Sequence, residues 1–358
     1  MTLPLSPLSW TLLVLGLLAG AWTLGAWRLY RLREAPGRHL RVRTADGWEV
    51  AVFQRPPRVR RFAEPVVLAH GLGVTHRFMD FEPRWSLAHA LNDAGFETWA
   101  VDFRGTGRSG RWGKGHGVDE HIHLDVPAVL EAVRRESGAA QVLWVGHSLG
   151  GLIGLAAAGG PAAGQLKGLV ALGSPLFMGS HPVLARALLL GLLLSWPFRL
   201  RLSWVTLAAA PVVGRWVLPM ADVVMNPAHV PPPVQRLLSA EVLSSISHGV
   251  LRQLSDWFAS GQFRSRDGAV DYRAQALRLD LPLLFCAGTV DHLAPAEGVV
   301  RAFEASASSD KSLRVFGCAH GHAMDYGHGD LCFGTGAPTE LFPVVRQWLE
   351  ARATTVKQ

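Results

Sequence analysis

Gly146-His147-Ser148-Leu149-Gly150 stands between an apolar run at residues 142–145 and a helical stretch of small residues at 149–158. A strand that turns at once into a helix forces the residue at the bend into strained backbone angles. Only small neighbours, here Gly146 and Gly150, avoid collision at such a bend. The turn is expected to present the Ser148 hydroxyl at a strand end. The helix starting at Leu149 would aim its amide donors and positive dipole end at any oxyanion formed there. Taken alone, the string also describes a glycine-rich turn with an exposed serine. Its placement gives it meaning.

The same strand–helix rhythm runs through much of the chain. Residues 39–54 alternate as a β-hairpin, with Leu40 and Val42 before Asp46-Gly47 and Val50 and Val52 after it. Strands are expected at 65–69, 97–102, 142–145 and 166–172, and helices at 85–94, 124–136 and 149–158. The rhythm stops after Ser174-Pro175. It resumes with a strand at 281–285, a helix near 295–305, a strand at 312–316 and a last helix at 339–352. Strands and helices at this spacing imply an α/β fold with a mainly parallel, doubly wound sheet. The core is thus expected in two parts, 39–175 and 281–358. Residues 176–280 are too many for a loop and read as an inserted, mostly helical cap. In that cap, residues 188–194 with Trp196, Phe198, Trp204, Val205 and Trp216 would cover an apolar cleft suited to acyl chains. The same residues would equally serve to pack the cap on the core, or lie along a bilayer with Arg199, Arg201 and Arg215 at the headgroups.

Residues 8–27 carry no charged side chain. Twenty residues at about 1.5 Å rise span about 30 Å, the thickness of a hydrocarbon core. Trp10 stands at one end and Trp27 and Tyr30 at the other, where amphipathic rings favour the interface. Arg28, Arg31, Arg33, Arg38, Arg41 and Arg43 follow, and no Lys or Arg precedes. Residues 8–30 are therefore expected to be a single-pass membrane anchor, followed by a basic linker at 31–38. The positive-inside rule places the following domain in the cytoplasm. The competing reading is a cleaved signal peptide, with Ala19-Gly20-Ala21 as a poor cleavage site and no basic region before it.

The formal net charge of +7 comes from 35 Lys and Arg against 28 Asp and Glu in 358 residues. Nearly all the basic residues are Arg, scattered singly apart from small groups such as Arg58, Arg60 and Arg61. No Arg–aromatic platform or nucleic-acid motif accompanies them, so no nucleic-acid partner is expected. Three cysteines, Cys286, Cys318 and Cys332, make neither a disulfide framework nor a CxxC pair.

With these motifs the sequence resembles the α/β-hydrolase family from about residue 39 to 352. His70-Gly71-Leu72-Gly73, after the strand at 65–69, is similar to that family's oxyanion loop. The resemblance implies that backbone N–H groups of Leu72 and Leu149 form the oxyanion hole. The segment from Asp102 to Ser109 matches the family's D-x-R-G-x-G-x-S turn, a scaffold element. The segment 287–295 is similar to the one that carries the triad acid, here Asp291, which otherwise reads as a helix cap. Three histidines compete for the role of base: His320, His322 and His328. A base soon after the last strand favours His320 or His322. The stretch Tyr326 to Gly334 resembles the region around the catalytic histidine of acid lipases and favours His328.

The resemblance implies a serine carboxylic-ester hydrolase, esterase- or lipase-like, working through Ser148, His328 and Asp291 in the chain order this fold uses. Acyl transfer to an alcohol or lipid would use the same triad, and a non-catalytic membrane scaffold would use the same fold. No cofactor is expected. Glycines separate the histidines at 320–328, so no metal site is expected there, and His116, His121 and His123 read as loop and surface residues. The natural ester and the oligomeric state are not written in the sequence.

Overall fold

A computed structural model describes residues 6–32, 37–110, 115–178, 190, 202–215 and 221–356. Among the described residues eight strands form one sheet: β1 (Arg38–Arg43), β2 (Glu49–Arg55), β3 (Val66–Ala69), β4 (Thr98–Asp102), β5 (Val142–His147), β6 (Leu166–Leu172), β7 (Leu283–Gly288) and β8 (Lys311–Phe316). Their order is β1-β2-β4-β3-β5-β6-β7-β8. β1 and β2 pair as the antiparallel hairpin the alternation predicts, with Leu40 opposite Val52 and Val42 opposite Val50. β2 also runs antiparallel to β4, and every later pairing is parallel.

The parallel strands are continuous apolar runs because both sheet faces are covered. Alternate side chains go to opposite layers. Val67 and Ala69 of β3, with Trp144 of β5, face α3 (Val126–Ser137), α4 (Leu149–Ala158) and α9 (Ala296–Ala305). Val66 and Leu68, with Leu143 and Val145, face α2 (Leu87–Asp93) and α10 (Leu341–Glu350). The strand at 281–285 starts two residues later than expected and reaches Gly288.

Between β6 and β7 the described residues hold helices and turns. They are α5 (Leu202–Ala209), α6 (Pro232–Leu237) with a following π turn (Leu238–Val242), α7 (His248–Ser260) and α8 (Tyr272–Leu277). Trp257 of α7 and Tyr272 of α8 are buried in the same core as α3 and α4. Val234, Leu238 and Val242 join the opposite layer. Of the apolar residues read as a cap lining, Trp204 and Val205 are about half exposed and Leu190 is exposed. The rest of 188–194, with Trp196, Phe198, Arg199, Arg201 and Trp216, lies outside the described residues.

The amino-terminal run forms one helix, α1 (Pro7–Tyr30), long and apolar enough to cross a membrane. Ser6 caps it by accepting the Ser9 backbone N–H at 3.2 Å.

The expectation that His116, His121 and His123 sit at the surface is corrected in two of three cases. His116 and His121 are buried, because the turn from Val118 to Asp125 packs Val118 and Ile122 into the core and draws its histidines in. The His121 Nδ1 lies 3.0 Å from the Asp125 carboxylate. His123 is exposed and meets the Tyr272 hydroxyl at 2.9 Å.

Candidate active site

Ser148 follows β5 and caps α4 with φ 54° and ψ −121°, the sole positive φ of a non-glycine residue among the described residues. The adjoining glycines allow the bend. A Cβ on Gly146 would fall 2.5 Å from the Gly150 carbonyl carbon, and one on Gly150 would fall 2.5 Å from the His70 carbonyl oxygen. Real Cβ atoms do not approach so closely, so the bend, the helix start and the loop after β3 are held together by the absence of side chains.

That loop is His70-Gly71-Leu72-Gly73. A Cβ on Gly71 would sit 3.0 Å from the Ser148 Cβ, so the loop passes directly beside the serine. His70 Nδ1–H donates to the Gly71 carbonyl at 2.7 Å, and its Nε2 accepts the Phe103 backbone N–H at 3.3 Å. Acceptance at Nε2 requires the neutral imidazole. Burial supplies it, lowering the His70 pKa to about 4 against the pull of Asp102. The Leu149 N–H belongs to the first turn of α4, whose leading amides have no partner within the helix.

His328 follows β8 after an eleven-residue excursion, at a buried position, and its Nδ1–H donates to Asp291 Oδ2 at 2.8 Å. The other carboxylate oxygen, Oδ1, accepts the backbone N–H groups of Leu293 at 2.9 Å and Ala294 at 2.7 Å. Asp291 therefore both caps its own turn and holds an imidazole, the two roles the sequence set against each other. With Nδ1 occupied, the Nε2 of His328 is the nitrogen left to exchange a proton. Gly173, at φ +55°, borders the pair: a Cβ there would lie 3.3 Å from both Asp291 Oδ2 and His328 Nδ1.

Two further supports escape sequence reading. His147 Nε2–H donates to the backbone carbonyl of His328 at 3.0 Å, across 181 positions of sequence. Burial and the neighbouring His328 hold the His147 pKa well below the usual value, so its ring is neutral. Asp330 braces the loop from the other side, with its Oδ2 accepting the Gly327 N–H and its Oδ1 the Asn226 N–H, both at 2.9 Å. The pattern of a histidine two residues before an aspartate carries the only sequence signal of this second contact.

The other two candidate histidines stand apart. His320 is exposed, and His322 packs against Phe316 and Tyr326 with its Nδ1 3.3 Å from the Gly317 carbonyl. Ser148 and His328 instead line one cavity of about 960 Å³, together with Gly71, Leu72, Leu149 and Leu293. Its remaining walls are mostly apolar: Val74, Phe78, Met178, Val213, Val224, Leu238, Val242, Leu254, Phe258 and Phe333 among them. Among the described residues Arg215 is the one Arg, Lys, Asp or Glu side chain on this wall. Among the described residues no group of three His, Cys, Asp or Glu side chains is arranged to hold a metal ion.

The model of the alpha/beta hydrolase fold family matches residues 64–325. Among curated proteins, a tear acid lipase-like protein of Mesocricetus auratus is 34% identical over 106 residues, 26% of each chain. The gastric triacylglycerol lipase of Bos taurus is 31% identical over 142 residues, 34% of each chain. The chain thus spans about a third or less of the length of these curated relatives. Among solved structures, a soluble variant of the monoglyceride lipase of Saccharomyces cerevisiae superposes with a TM-score of 0.64 at 20% identity. That match covers 91% of this chain and 99% of the other. The strand order, the strained serine between β5 and α4 and a family match over most of the sheet agree, and the chain belongs to the alpha/beta hydrolase fold family.

Proposed function

We propose that the chain is a membrane-anchored serine hydrolase that cleaves carboxylic esters of hydrophobic acyl groups. The observation that carries this reading is that Ser148, strained at a helix start, shares one apolar cavity with His328, whose far nitrogen is bonded to Asp291. In this reading His328 Nε2 takes the Ser148 proton as the Oγ attacks the ester carbonyl. The N–H groups of Leu72 and Leu149 receive the tetrahedral oxyanion, each such donor being worth about 3–4 kcal/mol in comparable sites. Asp291 stabilises the imidazolium, which then protonates the leaving alcohol. Water, deprotonated by the same imidazole, releases the acid and restores the serine.

The apolar walls support an acyl chain as the bound portion, since a few polar groups at one end of a greasy cavity orient such a ligand. The segment between β6 and β7 serves as the cap over it. The lipase names of the partial relatives favour ester chemistry. In this reading α1 anchors the enzyme by a single span and the Arg residues after it keep the hydrolase domain on the cytoplasmic side.

The test uses the full-length protein in detergent micelles with p-nitrophenyl esters of graded chain length and a fluorophosphonate probe. Ser148→Ala is expected to lower kcat/KM by about four or more orders of magnitude, as when a triad acts as a unit, and to abolish probe labelling. Longer acyl chains are expected to give the higher kcat/KM. An unlabelled wild-type serine would end the hydrolase reading.

A further inference from the structure

α1 is covered unevenly. Residues 10–22 are all exposed, and toward the carboxy-terminal end Thr23, Ala26 and Tyr30 form a shielded stripe with i, i+3, i+7 spacing. The helix packs against α5, the turn after it (Ala210–Val212) and the π turn Leu238–Val242. The Trp22 indole N–H reaches further, donating to the Ala208 carbonyl at 2.8 Å.

The lengths conflict with an anchor that only tethers. The free portion, residues 8–21, is 14 residues long, about 21 Å at 1.5 Å rise, whereas the hydrocarbon core needs about 30 Å. The missing 9 Å, about six residues, must come from 22–27, the part of the helix that is packed against α5. Whatever touches Trp22 therefore shares its depth. Residues 202–214 suit that position. They contain no Asp, Glu, Lys or Arg, and they expose Trp204 at 57% and Val205 at 48%. The polar boundary falls where the arithmetic puts it. Arg31 and the Leu32 backbone stand beside Glu241, which pairs with Arg77 at 3.3 Å.

We propose that α5 and its following turn lie inside the same bilayer leaflet as the carboxy-terminal third of α1, so that the cap is a membrane-inserted layer and the cavity over Ser148 is reached from that leaflet. The partner surface is the acyl region of a lipid leaflet. Val213 and Gly214 carry the chain from α5 directly into the cavity wall, and Leu238, Ser239 and Val242 line the cavity from a turn that also touches α1. Among the described residues, α5 and these turns stand between the anchor and the site. An ester whose acyl chain lies in the leaflet would enter without crossing water. This inference rests on α1 as a bilayer span and deepens the proposed hydrolase reading.

The test places the full-length protein in phosphatidylcholine vesicles. Cys318, the exposed cysteine, is changed to Ser, and Val205→Cys carries a bimane label; Cys286 and Cys332 are buried. Ala269→Cys, on an exposed loop far along the chain, is the aqueous control. Lipids with a doxyl group on the acyl chain are expected to quench the label at 205 at least fivefold more than at 269, and iodide at least fivefold less. Equal iodide quenching at both positions would overturn the proposal even if carbonate washing leaves the protein in the membrane. Release by carbonate would remove α1 as an anchor and the proposal with it. Loss of fluorophosphonate labelling at Ser148 alone would strike the hydrolase reading and leave the leaflet geometry standing.

Discussion

A serine at φ 54° costs on the order of 1–3 kcal/mol that a glycine at the same position would not. Ser148→Gly is accordingly expected to raise thermal stability by a few degrees while removing all esterase activity. A melt of this variant that is no higher than wild type would contradict strain at the bend. The imidazole assignment is read in the same assay. His328→Ala is expected to lower kcat/KM by about three or more orders of magnitude, whereas His320→Ala and His322→Ala stay within threefold, since neither lines the cavity. Gly173 gives a subtler case. Its φ of +55° strains any side chain, and a methyl group 3.3 Å from Asp291 and His328 would force one of them to give way by a few tenths of an ångström. Gly173→Ala is expected to lose about 1–2 kcal/mol of stability and at least tenfold in kcat, with KM little changed. A matched rise in KM with constant kcat would show that the methyl group blocks binding instead of disturbing the Asp291–His328 pair.

At the scale of elements, the junction of β5 and α4 was legible because several demands coincide there: an apolar strand, two glycines and a run of small residues. α4 and β6 fall where periodicity put them, Leu149–Ala158 and Leu166–Leu172. What remained hidden depends on contacts between distant segments. The His147 bond to the His328 carbonyl and the clearance at Gly173 need three loops placed together, and no local pattern encodes them. The burial of His116 and His121 was missed because glycine- and charge-rich flanks resemble a surface loop, while Val118 and Ile122 pull the turn inward. The choice among three histidines stayed open for the same reason. Gly150 is the point where elements depend on one another most. A methyl group there meets the carbonyls of Ala69 and His70, so Gly150→Ala is expected to push the loop bearing Leu72 away from Ser148. The predicted result is a loss of at least a hundredfold in kcat and a lower melting temperature. Unchanged kcat would mean that the loop's position beside the serine is immaterial to turnover.

For the molecule as a whole, the buried histidines tie stability to pH. His70 and His116 are held down to about 4, and His147 well below its ordinary value of 6.5, in each case chiefly because burial penalises the charged ring. The fold therefore refuses protons that the unfolded chain accepts as pH drops below about 6.5. Stability from these three groups is complete above that pH and declines as pH falls toward 4. Each group contributes a slope of at most about 1.4 kcal/mol per pH unit in that window. Together they set an upper bound of about 6 kcal/mol lost between pH 7 and pH 5, a large share of a typical domain's margin. Asp330, raised mainly by its burial, works in the opposite direction. Melting temperatures in detergent micelles at pH 7, 6 and 5 are expected to fall progressively. The source of the fall is identified by His116→Leu. Among the described residues neither ring nitrogen of His116 makes a hydrogen bond of good geometry, so an apolar replacement gives up little and removes one of the three protonation sites. That variant is expected to lose about a third less stability than wild type over the same interval. A wild-type melt that is level from pH 7 to pH 5 would refute the account, because three imidazoles kept neutral by burial cannot leave the folding equilibrium indifferent to protons.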